Sequence, residues 1–427
     1  MTKWSGRFLG LGIMSVLCLP TAAFAAEISV KSDTIFRGFE RDTATESEAM
    51  VLPAYEYLQI DVDTPGEPGL ALHLYGWGRG DLADKDYYDD TTDGEVLYGY
   101  LEYSKKEARF NAKLGRQHVF EGVANETLDG LRISSDLGRY FSGSLYGGQQ
   151  VAMSDEQGRS GDSIYGGRLS HHLIGRYALG VSYKKITNDS EDAEEMTGVD
   201  LAAYLPYDVN LFGNSTYNFE SEDWAEHSYE MRATFGQLAV RPYFQKFKYD
   251  DYFATGANSA GPFRFLADSG EELTVGGGDF TLSLDSTWVL VGKFKHYTYE
   301  VLDDASPYYG AQATWSGEKH CQIGGEVGYM NGEVAQNDYY LVRLFTYWDQ
   351  LPAILPIGFV SADVVYVGYD KPIYEEDNSL FVSLGAGKKF MEDALELKLS
   401  GDYSSDPYFD QDVRGMLTAS YRFGHSL

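Results

Sequence analysis

The segments LELKLSGDY at 395–403 and VRGMLTASYRF at 413–423 decide the fold of this chain. In both, apolar side chains alternate with polar or charged ones, residue by residue. Successive side chains of a β-strand point to opposite faces, so each segment predicts a strand with one apolar and one polar face. The same period of two recurs at 309–315 and 360–366. The sequence therefore predicts an all-β protein.

Two features separate a membrane barrel from a soluble sandwich. The apolar faces carry aromatic residues at their ends, as Tyr340 and Trp348 do around Val342 and Leu344, which is typical of lipid-facing strands. Short and long connections also alternate along the chain. We therefore predict a single transmembrane antiparallel up-and-down β-barrel of about 22 strands, with 20 as the alternative, short periplasmic turns and long acidic extracellular loops. The predicted long loops are 83–95, 190–195, 220–226, 251–271, 372–377 and 407–411.

The first residues indicate the compartment. Lys3 and Arg7 precede an apolar run, and Ala23-Phe24-Ala25 forms an A-x-A cleavage site. This order is typical of a secretory signal peptide, and the run is too short for a membrane-spanning helix. We predict a signal peptide at 1–25, an outer-membrane β-barrel at 26–427, and a location in the bacterial outer membrane.

Composition and motifs argue against several classes of function. The chain has 65 Asp and Glu against 34 Lys and Arg, a formal net charge of −31, which disfavours a nucleic-acid partner. Beyond the predicted leader the sequence has one cysteine, Cys321, and it contains neither a C-x-x-C-H haem motif nor a G-x-S-x-G elbow. We predict no cofactor, no metal site and no catalytic residues; an enzyme acting at the barrel rim is a minor alternative.

The end of the chain resembles the C-terminal signal of Gram-negative outer-membrane barrels. Gly415 to Phe423 ends in Tyr421-Arg422-Phe423, although four further residues follow where many barrels stop. LGRQ at 114–117 followed by LDGLR at 128–132 also resembles a hairpin common in porin-like families. The resemblance implies three partners: the lipid bilayer, lipopolysaccharide and the barrel-assembly machinery.

The polar faces of the predicted strands mix both signs of charge. In porins such faces line water and set ion selectivity, although the same charges could form salt bridges that merely solvate the inner wall. The candidate pore-lining residues are Lys293, Lys295, Arg343, Asp363, Lys389, Glu396, Lys398, Asp402, Arg414 and Arg422.

The predicted width of the barrel is compatible with two functions. Outer-membrane transporters of 22 strands carry a plug, but the first predicted strand here begins shortly after the predicted leader, which leaves no plug domain. In the first hypothesis the protein is a porin-like channel that passes ions or small solutes. In the second it is a sheath that holds a multihaem cytochrome in an outer-membrane electron conduit, since its composition resembles the porin components of such conduits.

Overall fold

The computed structural model describes residues 26–41, 48–64, 66, 68–83, 87–88, 90–107, 109–151, 162–248, 270–317, 321–332, 338–351, 356–407 and 409–426. The predicted signal peptide lies outside these residues and stays a prediction. Among the described residues, no helix is long and apolar enough to cross a membrane.

Twenty-three strands make up the described chain. They are β1 (Glu27–Arg41), β2 (Ala49–Val51), β3 (Pro53–Thr64), β4 (Gly69–Asp81), β5 (Thr92–Lys105), β6 (Phe110–Glu121), β7 (Ala124–Asp136), β8 (Phe141–Gln150), β9 (Ser163–Leu173), β10 (Tyr177–Asn188), β11 (Glu191–Leu205), β12 (Val209–Asn218), β13 (Asp223–Phe235), β14 (Leu238–Lys248), β15 (Glu272–Ser283), β16 (Trp288–Tyr299), β17 (Asp304–Ser316), β18 (Cys321–Met330), β19 (Tyr339–Trp348), β20 (Phe359–Ile373), β21 (Glu376–Phe390), β22 (Leu395–Asp406) and β23 (Phe409–Ser426).

The strands close into one barrel. From β3 onward each strand pairs antiparallel with the next, and β1 pairs with β23 from Glu27 opposite Ser426 to Phe39 opposite Arg414. Both β2 and β3 pair with β1, so they form one wall strand interrupted at Leu52. The wall therefore has 22 strands, and the predicted all-β up-and-down barrel of about that size is confirmed.

Connections differ between the two ends of the barrel. The end that holds Glu27 and Ser426, called here the terminal end, has mostly short turns, and by the usual orientation of such barrels it is periplasmic. The opposite, distal end carries the long connections around 82–91, 151–162 and 249–271. Part of each of these three connections lies outside the described residues.

Four of the six predicted long loops are wrong in extent, because most of the residues at 190–195, 220–226, 372–377 and 407–411 belong to strands. At 190–195 and 372–377, two-residue hairpins join the strands at Asp189-Ser190 and at Tyr374-Glu375. All four turn residues have positive φ, between 48° and 75°. Such turns match the twist of antiparallel strands and usually contain glycine or asparagine, so these four residues give no turn signal in the sequence.

The outer face of the wall is apolar and exposed. On β19, Tyr340, Val342 and Leu344 point outward, and Leu344 keeps 61% of its surface exposed. On β23, Val413 and Leu417 do the same. An exposed apolar belt around a closed barrel is what a lipid-facing surface requires.

We expect the change Leu344→Arg to destabilise the barrel in lipid by about 2–4 kcal/mol, because it places a charge on the lipid face near the middle of β19. The matched control is Phe345→Arg, one residue further along, where the side chain points into the lumen. Unfolding in urea from lipid vesicles measures both variants. Equal destabilisation of the two would contradict the assigned faces.

Candidate functional site

The lumen is the candidate site, and the ten candidate pore-lining residues all lie on its wall. The register shows this directly: Arg343 alternates with the outward Val342 and Leu344, and Asp363 faces the same side from β20. The residues so placed are Lys293, Lys295, Arg343, Asp363, Lys389, Glu396, Lys398, Asp402, Arg414 and Arg422. A role in lining a conducting pore stays a prediction.

Several of these residues are engaged in ion pairs along the inner wall. The pairs join Lys293 to Glu326 at 2.7 Å, Arg343 to Asp363 at 2.9 Å, Lys389 to Asp349 at 3.7 Å, and Arg414 to Asp412 at 2.7 Å. Both readings of the sequence, pore lining and wall solvation, are compatible with these contacts. The net charge of the lumen therefore depends on the charged residues that lie outside these pairs.

One hairpin leaves the wall and enters the lumen. β6 pairs with β5 as far as Arg116, and β7 pairs with β8 from Leu128 onward. Between those points, residues 117–127 pair with each other across the turn at Gly122. We call residues 117–127 the hairpin tip.

The hairpin tip docks on the inner face of β10. The backbone N–H of Val123 donates to the Ser182 hydroxyl at 3.1 Å, and the Lys184 ammonium donates to Glu126 at 3.0 Å. The same ammonium lies 2.5 Å from Glu194. Lys184 is only 4% exposed, so its charge depends on these two carboxylates.

A second anchor holds the tip at its β6 side. Glu121 accepts hydrogen bonds from the Arg132 guanidinium and the Ser144 hydroxyl. Apolar residues fill the space between the tip and the wall: Val119, Ala124, Leu128, Tyr146, Ile164 and Ile186, all buried. The hairpin tip is therefore a packed element rather than a loose loop.

Glycines permit the bend at the base of the tip. Gly115 has φ +127°, and a Cβ atom at Gly130 would overlap the backbone of Gly147 and Gly148 on β8. The Gln117 amide, 1% exposed, fills this bend and donates to the carbonyl of Lys113 at 3.1 Å. The glycines are therefore needed for close backbone approach.

A cavity of about 1190 Å³ lies beside the hairpin tip. Phe120, 79% exposed, lines it from the tip, while Arg168, Asp200 and Glu226 line it from the wall. Arg168 and Asp200 form an ion pair with a 2.9 Å bond. The tip therefore narrows the lumen, and one side of the tip faces the open space that remains.

Within the described residues, three carboxylates lie close enough to hold a cation: Asp192, Glu195 and Glu220. They sit at the distal end, on the outer side of β11 and in the turn after β12. The Lys185 ammonium already bonds Asp192 at 2.9 Å and Glu195 at 3.0 Å. Two of the three carboxylates are therefore already paired with a cation of the protein.

The closed wall, the apolar outer belt and the charged lumen define the class of fold: a transmembrane antiparallel β-barrel of 22 strands, the architecture of bacterial outer-membrane barrels. No protein-family model matches the sequence. No curated protein matches it either.

The chain is similar to solved structures that include the following three. OccAB4 of Acinetobacter baumannii is 11% identical, with a TM-score of 0.47 over 95% of this chain and 100% of that chain. The outer membrane protein opdK of Pseudomonas aeruginosa is 11% identical, with a TM-score of 0.44 over 94% and 99%. A BenF-like porin from Pseudomonas fluorescens Pf-5 is 10% identical, with a TM-score of 0.46 over 94% and 99%. Likeness at this level assigns no substrate to this chain.

The residues that hold the hairpin tip were not among the sequence candidates. Glu121, Glu126, Lys184 and Glu194 follow the same alternation as any lumenal residue, and their contacts join positions far apart in the chain. The available signal was the run Gly147-Gly148 opposite Gly130, which marks a close backbone approach.

Proposed function

We propose that this barrel is a channel that passes ions or small hydrophilic solutes, with the hairpin tip setting the narrow part of its lumen. The observation that carries the proposal is the docking of residues 117–127 on β10 through Val123 and Lys184. A barrel of 22 strands encloses a wide lumen, and an inward element built from the chain itself reduces that width. The charged inner wall suits water and ions.

Acidic side chains around the tip favour cations. Six acidic residues line the cavity or lie on the tip, against four basic residues that line the cavity or bond to the tip. The acidic residues are Glu121, Glu126, Asp136, Glu194, Asp200 and Glu226, and the basic ones are Arg109, Arg132, Arg168 and Lys184. Glu226 has a neutral partner, the Asn214 amide at 3.3 Å. Among the contacts of the described residues, no basic side chain pairs with this carboxyl group, which lines the cavity beside the tip.

The test is conductance of the purified chain in planar bilayers. We expect stepwise ohmic currents and, under a potassium chloride gradient, a reversal potential on the cation side. Glu226→Gln should move that potential toward zero, whereas Glu392→Gln, in a terminal-end turn, should leave it unchanged. Membranes that stay silent with correctly folded protein would contradict the channel.

The sheath hypothesis remains the alternative from the sequence. No contact among the described residues favours it, and the hairpin tip occupies lumen that an enclosed cytochrome would need. Purification of the barrel from its native membrane tests it, since a stoichiometric multihaem partner would turn the preparation red. The bilayer, lipopolysaccharide and barrel-assembly machinery likewise stay predicted partners.

A further inference from the structure

Aromatic rings line one sector of the lumen. They stand on the inward face of three adjacent strands, β3, β4 and β5, where the alternating outward positions carry Leu58, Leu74 and Leu101. We call these rings the aromatic track: Tyr55, Tyr57, His73, Tyr75, Trp77, Tyr98 and Tyr100.

The rings of the track form a continuous surface. Ring centroids lie 6.4 Å apart from Tyr55 to Tyr57, 6.5 Å from Tyr57 to Tyr75, and 5.4 Å from Tyr75 to Tyr98. Tyr98 then lies 5.8 Å from Tyr100. The planes of these four pairs differ by 21° to 46°, so none of them is edge to face. Neighbouring faces therefore point in similar directions.

The track is not a hydrophobic core. Each of its rings is half-buried and keeps part of its surface in the lumen. By contrast, the rings of the other lumenal aromatic cluster, on β14 to β17, are buried, and Tyr299 there is 1% exposed. Exposed ring faces in a water-filled lumen are available to a solute.

Polar groups flank the track on both sides. His73 contacts Asp61 at 2.6 Å, and Lys113 contacts Glu102 at 3.4 Å while its ammonium stands 4.6 Å from the centre of the Tyr100 ring. At the other end, the Arg37 guanidinium lies 5.4 Å from the centre of the Tyr55 ring. The flanks thus offer hydrogen-bond donors and acceptors beside a row of apolar faces.

We propose that the aromatic track binds neutral sugars. A sugar ring has an apolar face of C–H groups, which stacks on an aromatic ring, and a rim of hydroxyls, which bonds to charged and amide side chains. At the end of the track that holds His73 and Lys113, both groups already contact carboxylates, those of Asp61 and Glu102, so an anionic solute gains little there. This inference rests on the proposed channel function and names the class of solute. Sugar binding can be measured without any ion current, so the two proposals can be tested separately.

The experiment uses maltohexaose, a soluble chain of six sugar rings, as the probe. Calorimetric titration of the whole barrel in detergent should show saturable binding. Tyr75→Ala, which removes the ring between Tyr57 and Tyr98, should weaken it about tenfold. Tyr75→Phe keeps the aromatic ring, so its affinity for maltohexaose should stay within about twofold of that of the native chain. Tyr347→Ala, a lumenal ring outside the track, is the matched control and should not change binding.

In planar bilayers the same sugar should interrupt the ion current, and a polyethylene glycol of equal size should not. Absence of binding in the titration overturns the inference while leaving the channel intact. Binding without any current supports the track and contradicts the channel. Tighter binding of benzoate than of maltohexaose overturns the sugar assignment in favour of aromatic solutes.

Discussion

The change Lys184→Met should raise the single-channel conductance severalfold. Lys184 joins the hairpin tip to the wall by bonding Glu126 on the tip and Glu194 on β11. Without the ammonium, two carboxylates would share a nearly dry site, and loss of one partner of a buried pair costs about 3–5 kcal/mol. The tip should therefore leave β10 and open the narrow section.

The neighbouring Lys185 supplies the control for this change. Lys185 points to the outer side of β10 and bonds Asp192 and Glu195, so Lys185→Met removes the same charge without touching the tip. We expect its conductance to match that of the native chain. The test is the single-channel conductance of each folded variant. Identical values for Lys184→Met and Lys185→Met would mean that the tip does not restrict the pore.

The change Gly130→Val should prevent the barrel from folding. A Cβ atom at this position would overlap the carbonyl oxygen of Gly147 and crowd the Cα atom of Gly148. The conflict involves backbone on both sides, which rotamer changes cannot relieve, so the cost should exceed the roughly 1–3 kcal/mol of ordinary overpacking. Strands β7 and β8 would then lose their register at the base of the tip.

Heat-modifiable migration on gels measures the folded fraction of this variant. The matched control is Gly276→Val on β15, where a Cβ atom meets nothing within 4 Å. We expect a largely unfolded Gly130 variant beside a normally folded Gly276 variant. A native folded fraction for Gly130→Val would refute the close approach of β7 and β8.

Much of the wall could be predicted from the sequence, because alternation is a local signal. The segments 395–403 and 413–423 became β22 and β23 with their apolar residues outward. The same locality explains the wrong loops at 190–195 and 372–377. There the strands continue beyond the membrane into tight hairpins, whose turn residues Asp189 and Tyr374 adopt positive φ without a glycine.

The hairpin tip could not be predicted from alternation, because a strand that leaves the wall keeps its period of two. Its position depends on contacts between residues about 60 apart, as between Val123 and Ser182. The aromatic track is non-local in the same way: its rings come from three strands and meet only when the register is known. The alternation within one strand predicts whether a side chain points to the lumen or to the lipid. Which side chains it meets in the lumen depends on how the whole barrel closes.

The docking of the hairpin tip on β10 is tested most directly by cross-linking. In a Cys321→Ser background, Ser182→Cys replaces the hydroxyl that now accepts from the Val123 backbone N–H at 3.1 Å, and Val123→Cys places the second thiol on that same residue of the tip. We predict that mild oxidation joins the two thiols within one chain in high yield, without changing the native conductance. Two free thiols that are both alkylated in a folded, conducting barrel would contradict the docked tip.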